Sequence, residues 1–403
     1  MLEISKKTNL LEQKIYKYEL QDVAEPNLYR DIYDYDSVPK VAFNHRRVPM
    51  NMPEEIRITD TSFRDGQQSV EPYTVEQIVA LYKLLSKLGG PYGIISQTEF
   101  FIYSKKDREA VEKCQALGLK FPEITTWIRA SKEDFKLVKD LGIRETGILV
   151  SCSDYHIFKK MKMTRSECLK HYLEVVSLAF EAGLVPRCHF EDITRADFYG
   201  FVVPFVNELT EMSRQAGIPV KIRACDTMGY GVPYPGAALP RSVAGIVYGL
   251  RHYADVPSDM LEWHGHNDFY KAVVNASTAW MYGAGAVNCS LLGIGERTGN
   301  VPLEAMVFEY ASLRAPPTTG TKVFAASFTP LAVSESAEPA ITHLMLKSPE
   351  NMAAQMPSTL DTVFLIRSLT AESRSVGSIA PTAPRAAVTP INGRKKFSAN
   401  AVK

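Results

Sequence analysis

Short strand-like segments alternate with longer helical segments between residues 55 and 314. The strand-like segments are rich in β-branched and aromatic residues. There are eight: EIRITD (55–60), GIISQTEF (93–100), FPEITTW (121–127), ETGILVSC (145–152), VPRCHFED (185–192), PVKIRACD (219–226), MLEWHGHN (260–267) and AVNCSLLG (286–293). Eight β–α repeats predict an α/β fold, a TIM (β/α)8 barrel, over residues 55–314.

The helical segments follow the strands, and the first of them shows the pattern most clearly. In TVEQIVALYKLLSKLG the apolar residues recur with helical spacing, Thr74 suits the N-cap and Gly89 suits the helix end. A doubly wound open sheet is the structural alternative. No GxGxxG motif follows the first strand, so the usual dinucleotide-binding function is not supported.

The two flanks differ from the barrel segment. Residues 1–54 form an N-terminal extension rich in tyrosine and aspartate, and this aromatic content predicts packing on the barrel or on a partner subunit; a disordered leader is the alternative. Residues 315–403 contain none of the 19 tyrosines, 3 tryptophans and 6 cysteines of the chain. Clusters such as SIAPTAPRAAVTP predict an atypical, poorly ordered tail.

Composition excludes several classes of protein. A formal net charge of +1 over 403 residues predicts no nucleic-acid partner. The sequence has no apolar run of about 18 residues, the length that a membrane span needs. The charged N-terminus lacks the apolar core of a signal peptide. The six scattered cysteines form no CxxC pair, which predicts buried free thiols and a reducing, cytoplasmic location.

Polar residues collect where the predicted strands end, which is where (β/α)8 barrels carry their active sites. The candidates along the chain are Arg64, Asp65, Gln68, Glu99, His189, Glu191, Arg195, Thr227, His264, His266 and Asn300. These side chains are expected to meet on one rim of the barrel.

The sequence WHGHND indicates a metal site. In a strand His264 and His266 point to the same face. With the carboxylate of Asp65 and the amide oxygen of Asn300, they would offer two nitrogen and two oxygen ligands. Such a set suits octahedral Mg²⁺, Mn²⁺, Co²⁺ or Zn²⁺ that also binds a substrate. The alternative is a pair of histidines that line a polar barrel mouth without a metal.

Arg64 adjoins one of these candidate ligands. A guanidinium there can stabilise a developing enolate or alkoxide, and Glu99 on the neighbouring strand could orient it. The alternative is a buried structural ion pair between the two. The loop GIGERTGN (293–300) is a weak phosphate-binding candidate because no lysine follows it in P-loop spacing.

The sequence resembles the metal-dependent TIM-barrel lyases and synthases that share an Asp–Arg–Glu motif. The resemblance lies in DTSFRDGQQ, Glu99, WHGHND and GIGERTGN. That superfamily includes 2-isopropylmalate synthases, homocitrate synthases and hydroxymethylglutaryl-CoA lyases. Within it, EPNLYRDIYDYDSVP, EFFIYSKKDREAVEKC and CHFEDITRADFYGFVVPF are most similar to Re-type citrate synthases. The resemblance covers residues 55–314 and reaches into the extension.

The resemblance implies roles by position. Asp65, His264, His266 and Asn300 match metal ligands, Arg64 matches the arginine that steadies the enolate, Glu99 matches the glutamate of the motif, and Thr227 matches a residue near the 2-oxo acid. Gln68, His189, Glu191 and Arg195 are further candidates for substrate binding. The implied activity is an acyltransferase reaction, in which acetyl-CoA condenses with a 2-oxo acid, oxaloacetate ahead of 2-oxoisovalerate. The family also implies a homodimer.

The sequence departs from this family after the barrel. The condensing enzymes continue into a region with a GIHADG-like motif, and nothing after residue 314 matches it; His343 lies in a different context. Impaired turnover is the expected consequence. The alternatives are 2-isopropylmalate or homocitrate synthase, a C–C lyase, a biotin-dependent carboxyltransferase and a catalytically damaged metal-binding barrel. GIGERTGN lacks the lyase cysteine, and RACDTMG lacks the carboxyltransferase lysine.

Overall fold

The computed structural model describes residues 2–4, 11–13, 17–129 and 131–314. Two short strands near the N-terminus, Leu2–Ile4 and Leu11–Gln13, pair in antiparallel fashion. The predicted poorly ordered tail, residues 315–403, lies outside the described residues.

Eight parallel strands within the described residues close into a barrel, in which each strand pairs with the next and the last with the first. They are β1 Arg57–Asp60, β2 Ile95–Phe100, β3 Glu123–Ile128, β4 Glu145–Ser151, β5 Val185–Glu191, β6 Lys221–Asp226, β7 Leu261–Gly265 and β8 Ala286–Cys289. The predicted (β/α)8 barrel is confirmed, and closure excludes the open sheet. The last strand is shorter than predicted, because Leu291–Gly293 turns into a 3-10 helix.

A helix follows each strand in the described part of the chain. These helices are α1 Val75–Gly89, α2 Lys105–Gln115, α3 Lys132–Asp140, α4 Arg165–Glu181, α5 Val203–Ala216, α6 Val243–Tyr253, α7 Ala272–Tyr282 and α8 Leu303–Arg314. Thr74 caps α1 as predicted, since its side chain accepts a hydrogen bond from the backbone N–H of Gln77. The helix includes Gly89, and Gly90, with φ of 65°, ends it one residue later than predicted.

The core lies between the strands and the surrounding helices. In α1 the buried Ile78, Leu81, Tyr82 and Leu85 recur at three- and four-residue spacing, so one stripe of the helix faces the barrel. Burial of each such side chain contributes about 1.5–3 kcal/mol. All six cysteines are buried and free, as predicted.

Residues 17–54 of the extension lie along the outside and the mouth of the barrel. The backbone of Gln21 donates to Gly200 at 2.9 Å, and Ala42 accepts from Ala238 at 2.9 Å. Tyr33 is almost fully buried. The extension therefore packs on the barrel. The sequence predicted packing either there or on a partner subunit. Among the helices that the structure describes, none has both the length and the apolar character needed to cross a membrane.

Candidate active site

The predicted site residues lie at the carboxyl ends of the barrel strands. Asp65 follows β1, Glu99 lies near the end of β2, and His264 lies in β7. His266 follows β7 directly and forms an isolated antiparallel bridge with Asn300, which lies in the loop after β8. Closure of the barrel thus brings together residues that are more than 200 positions apart.

Four side chains meet as the metal hypothesis requires. The two Nε2 atoms of His264 and His266 are 3.2 Å apart, and Nε2 of His264 lies 3.9 Å from Oδ2 of Asp65. The amide of Asn300 donates to the same Asp65 oxygen at 3.1 Å. The sequence-predicted set is therefore one spatial group, and its role as a set of ligands stays a prediction.

Both histidines are neutral at neutral pH. Burial, with the charge of Arg223, lowers the pKa of His264 to about 3. Burial, with the neighbouring His264, lowers the pKa of His266 to about 2. Nδ1 of His264 lies 2.8 Å from the Asn288 amide oxygen, which only accepts, so Nδ1 carries the hydrogen and Nε2 keeps its lone pair.

The donor set fits a divalent cation. Nδ1 of His266 and Oδ1 of Asn300 are buried without a hydrogen-bond partner in the described residues. Imidazole nitrogens, a carboxylate and an amide oxygen together are donors that Mn²⁺, Co²⁺, Mg²⁺ and Zn²⁺ share. Across the described residues, no group of three His, Cys, Asp or Glu is already closed around a metal position. The carboxylate of Asp65 is instead engaged by Arg64 and Asn300.

Arg64 lies next to the predicted metal ligand Asp65 and packs against two aromatic rings. Its guanidinium carbon lies 4.7 Å from the centre of the Trp127 ring and 5.8 Å from that of Phe101. Its Nη1 donates to Asp65. Its buried Nε lies 3.9 Å from Oε1 of Glu99 and makes no hydrogen bond within the described residues. Arg64 therefore keeps a donor without a hydrogen bond beside the predicted metal ligands.

Glu99 contacts Arg64 and also two arginines inside the barrel, so its predicted role of orienting Arg64 stays a prediction. It accepts from Nη2 of Arg187, and Nη1 of Arg223 lies 3.2 Å away. The Nε of Arg64 is farther, at 3.9 Å. Burial opposes ionisation of Glu99, but Arg223 and Arg187 outweigh it, so its pKa lies below the ordinary value. Glu99 mainly anchors charges inside the barrel.

A buried ion network fills the barrel beneath the site, and the sequence reasoning missed it. Arg187 pairs with Glu145 at 2.6 Å, and Nε of Arg223 donates to Glu262 at 2.7 Å. The signal was present in the strands: Glu262 lies two residues before His264 and therefore points to the same face, and Arg223 meets Glu262 on that face from the neighbouring strand.

The predicted substrate-binding residues are partly engaged by the protein itself. His189 is buried in the network, where its Nε2 accepts from Arg187 at 3.2 Å. Glu191 contacts Nδ1 of His156 at 2.9 Å, and His156 was not predicted. Gln68 is exposed at the end of the turn Gly66–Gln68.

Arg195 and Thr227 share a partner at the mouth. Asp192 holds the guanidinium of Arg195 with a bond of 2.8 Å to its Nε, and the backbone N–H of Asp192 donates to the Thr227 hydroxyl at 2.8 Å. The Thr227 hydroxyl can still donate one hydrogen bond. None of the predicted substrate roles is thereby tested.

A closed (β/α)8 barrel with these residues at its carboxyl end has the architecture typical of TIM-barrel enzymes. The chain belongs to the HMGL-like family, whose family model matches residues 55–326. It is 62% identical over 299 residues to citrate (Re)-synthase of Clostridium kluyveri, which covers 74% of this chain and 66% of that protein. It is 58% identical over 300 residues to citrate (Re)-synthase of Syntrophus aciditrophicus, which covers 74% of this chain and 48% of that protein.

The chain thus spans less than two thirds of the length of either relative. Among solved structures, an HMG-CoA lyase from Bacillus subtilis superposes with a TM-score of 0.53 at 21% identity, over 78% of this chain and 100% of that one. This likeness supports the barrel fold. The resemblance to the Asp–Arg–Glu superfamily, and within it to Re-type citrate synthases, is confirmed.

Proposed function

We propose that the chain is a divalent-metal-dependent acyltransferase that condenses acetyl-CoA with a 2-oxo acid, and that oxaloacetate is the acid and citrate the product. One observation carries the proposal: Asp65, His264 and His266 converge beside Arg64, whose Nε makes no hydrogen bond in the described residues. The similarity to two citrate (Re)-synthases supports the choice of acid.

The residues gathered at the mouth would hold the cation. Asp65, His264, His266 and Asn300 are its ligands in this proposal, and they offer nitrogen and oxygen donors without a thiolate. When bound, a divalent cation polarises the carbonyl of the 2-oxo acid. Because burial keeps both imidazoles neutral, their lone pairs are available near pH 7.

Arg64 supplies the second electrostatic element. Trp127 and Phe101 stack against its guanidinium, so its N–H groups are held in one direction. A donor fixed before the reaction stabilises an oxygen that becomes negative, and removing one such donor typically costs about 100- to 1,000-fold in kcat. Arg64 would thus stabilise the developing alkoxide or enolate.

The proposed reaction forms one carbon–carbon bond and breaks one thioester bond. The methyl group of acetyl-CoA loses a proton to a general base, and its carbon forms a bond with the carbonyl carbon of the 2-oxo acid. The carbonyl oxygen becomes a hydroxyl by taking up a proton. Water then cleaves the thioester, which releases CoA and forms a further carboxylate, the third of citrate.

Thiol release by the full chain tests the proposal. Protein with Mn²⁺ and acetyl-CoA is given oxaloacetate, 2-oxoisovalerate, 2-oxoglutarate or pyruvate in separate reactions. We expect metal-dependent release of CoA with oxaloacetate, and its loss in His266→Ala. His252→Ala, at an exposed histidine of α6, is the matched control and should retain the activity.

The other outcomes assign the alternatives. Release with 2-oxoisovalerate or 2-oxoglutarate alone would assign 2-isopropylmalate or homocitrate synthase activity. Cleavage of a 3-hydroxyacyl-CoA without condensation would assign the lyase. Tight Mn²⁺ binding with no release from any acid would contradict the condensation and leave a catalytically damaged barrel.

The homodimer follows from the family resemblance, and the location follows from the buried free cysteines. We expect a homodimer that acts in the cytoplasm. Light scattering of the purified chain that gives a mass near 44.9 kDa, the mass of one copy, would contradict the dimer.

A further inference from the structure

A buried arginine without sufficient partners lies at the barrel mouth. Arg241 is 2% exposed, yet its Nε and Nη1 have no hydrogen-bond partner in the described part of the chain. Leaving a buried charged group without its hydrogen bonds is costly. Arg241 lies in the loop between β6 and α6.

Tyrosines surround this arginine. Its guanidinium carbon lies 4.4 Å from the ring centre of Tyr33 and 4.1 Å from that of Tyr230, with Tyr35 at 5.5 Å. Arg195 lies beside it, 5.7 Å from Tyr35. Tyr155 completes the set, 4.3 Å from Arg195. We call these six residues the tyrosine–arginine cluster: Tyr33, Tyr35, Tyr155, Tyr230, Arg195 and Arg241.

The cluster holds more unmet donors than Arg241 alone. The hydroxyls of Tyr33, Tyr35 and Tyr155 are buried without a partner within the described residues. Arg195 is already held by Asp192 at 2.8 Å. Within the described residues Arg241 makes no hydrogen bond to a carboxylate, although the charge of the buried Asp226 acts on it. Donors of this kind, from two guanidinium atoms and three phenols, complement the oxygens of an anion.

Tyr230 of the cluster contacts the segment that follows His266, one of the predicted metal ligands. Tyr230 follows Thr227 by three residues, and its ring stacks on Phe269 at 5.6 Å, three residues after His266. The backbone N–H of His266 also donates to the Asp226 carbonyl at 3.3 Å, at the end of the strand that leads to Tyr230. An acid bound at the ligands could therefore extend toward the cluster.

The geometry points to an anion subsite in the tyrosine–arginine cluster that binds the distal carboxylate of a dicarboxylic 2-oxo acid and so selects the acceptor. This inference rests on the proposed condensation. It also gives the extension a function, because Tyr33 and Tyr35 are supplied by residues that precede the barrel. Arg241 provides the charge, and the tyrosine hydroxyls provide further donors.

Calorimetric titration of the full chain, with Mn²⁺ present, tests the subsite without turnover. Malate and lactate are the probes: both are 2-hydroxy acids, and only malate carries a distal carboxylate. We expect malate to bind about 10- to 100-fold more tightly than lactate. This ratio corresponds to the free energy that a hydrogen bond to a charged group contributes. Arg241→Gln should remove that preference, and Tyr35→Phe should reduce it.

Matched variants separate the subsite from general damage. Arg251→Gln is the control, because Arg251 is also partly buried with an unpartnered Nε but lies in the last turn of α6. It should keep the malate preference. Arg241→Lys keeps a positive charge and should retain part of it. Thermal melting confirms that each variant is folded, and if Arg241→Gln unfolds, Arg241→Lys and Tyr35→Phe decide.

Several results would overturn the subsite. These are equal affinity of the unaltered chain for malate and lactate, no malate binding, or a full malate preference in folded Arg241→Gln. Displacement of malate by CoA alone would assign the cluster to a phosphate and would also overturn it. An Arg241-dependent malate preference in a chain that releases no CoA would instead contradict the condensation and leave the subsite standing.

Discussion

The guanidinium carbon of Arg64 lies 4.7 Å from the centre of the Trp127 ring, at the barrel mouth. Phe101 adds a second ring at 5.8 Å. A cation–π contact contributes about 0.5–2 kcal/mol, depending on how far it is desolvated. The two rings limit the orientation of the guanidinium, and the Nε atom of Arg64 makes no hydrogen bond in the described residues.

Trp127→Leu should therefore slow the proposed reaction more than it weakens substrate binding. The ring is lost, Arg64 gains freedom, and we expect kcat for CoA release to fall about 10-fold with little change in KM, as the cation–π energy suggests. Trp127→Phe retains an aromatic face and should recover most of the rate. Steady-state kinetics measure both variants. An unchanged kcat in a folded Trp127→Leu protein would show that the stack has no part in orienting Arg64.

Breaking the buried network beneath the site should destabilise the barrel. Glu262 accepts from Nε of Arg223 at 2.7 Å and also from the hydroxyl of Thr59. Removal of one partner of a buried ion pair typically costs about 3–5 kcal/mol, because the other charge stays buried. Glu262→Gln should lower the free energy of unfolding by that order in urea titrations.

An exposed pair provides the comparison for the network. Glu211 and Arg214 contact each other at 2.5 Å on the surface of α5. Solvent screens such a pair, so Glu211→Gln should leave the urea midpoint unchanged. If Glu262→Gln and Glu211→Gln have similar midpoints, the network inside the barrel does not stabilise it.

Asp60 should make the barrel less stable as pH rises. Burial raises the pKa of Asp60 to about 6, although Ser62 and Thr98 donate to its carboxylate. Because this folded-state pKa lies above the unfolded value of about 3.9, the folded state binds the extra proton between these values. The contribution of Asp60 is therefore fully present below about pH 4 and is lost as pH rises through about 6.

Asp60→Asn should remove this dependence. The difference in unfolding free energy between the variant and the unaltered chain should shift in favour of the variant by about 2–3 kcal/mol from pH 4 to pH 7.5. Urea titrations at both pH values give this difference, and the exposed Asp259→Asn is the control. A difference that is the same at both pH values would contradict a raised pKa for Asp60.

The barrel was predictable because its pattern is local. Each strand is a short run that a helix follows, and His264 and His266 needed only the two-residue period of a strand to be placed on one face. Asp65 and Asn300 were predictable because parallel strands of a barrel end at the same rim. These arguments use the spacing of residues within one repeat and the symmetry of the fold.

The charged network was not predictable by the same means. Glu99 and Arg187 are 88 positions apart, and their contact depends on two strands being placed across the interior. The sequence suggested Arg64 as the partner of Glu99 because Arg64 follows the strand next to that of Glu99. In the structure Arg187 and Arg223 lie closer to Glu99 than Arg64 does. Which inward-facing charges meet is settled by the diameter and tilt of the barrel.

The contacts of the tyrosine–arginine cluster were also not predictable from the sequence, because they join loops. The tyrosines of the extension predicted packing, but the position of Tyr33 against Arg241 depends on backbone pairing between the extension and the loop before α6. Phe43 and Ala237 form part of this pairing. Loop positions carry no periodicity from which such a contact can be derived.

Asn288 should control metal affinity without being a ligand. Its amide oxygen lies 2.8 Å from Nδ1 of His264, and its amide nitrogen donates to Thr59 at 2.9 Å, so the orientation of Asn288 is fixed from both sides. Loss of a residue that orients a metal-binding histidine typically costs about 10- to 100-fold in affinity. Asn288→Ala should weaken Mn²⁺ binding by that factor, measured by the electron paramagnetic resonance of free Mn²⁺ with the full chain. Asn275→Ala, at a buried amide that donates to Gly231, should leave the affinity unchanged. If Asn288→Ala binds Mn²⁺ as tightly as the unaltered chain while His266→Ala does not, His264 does not depend on Asn288 for its orientation.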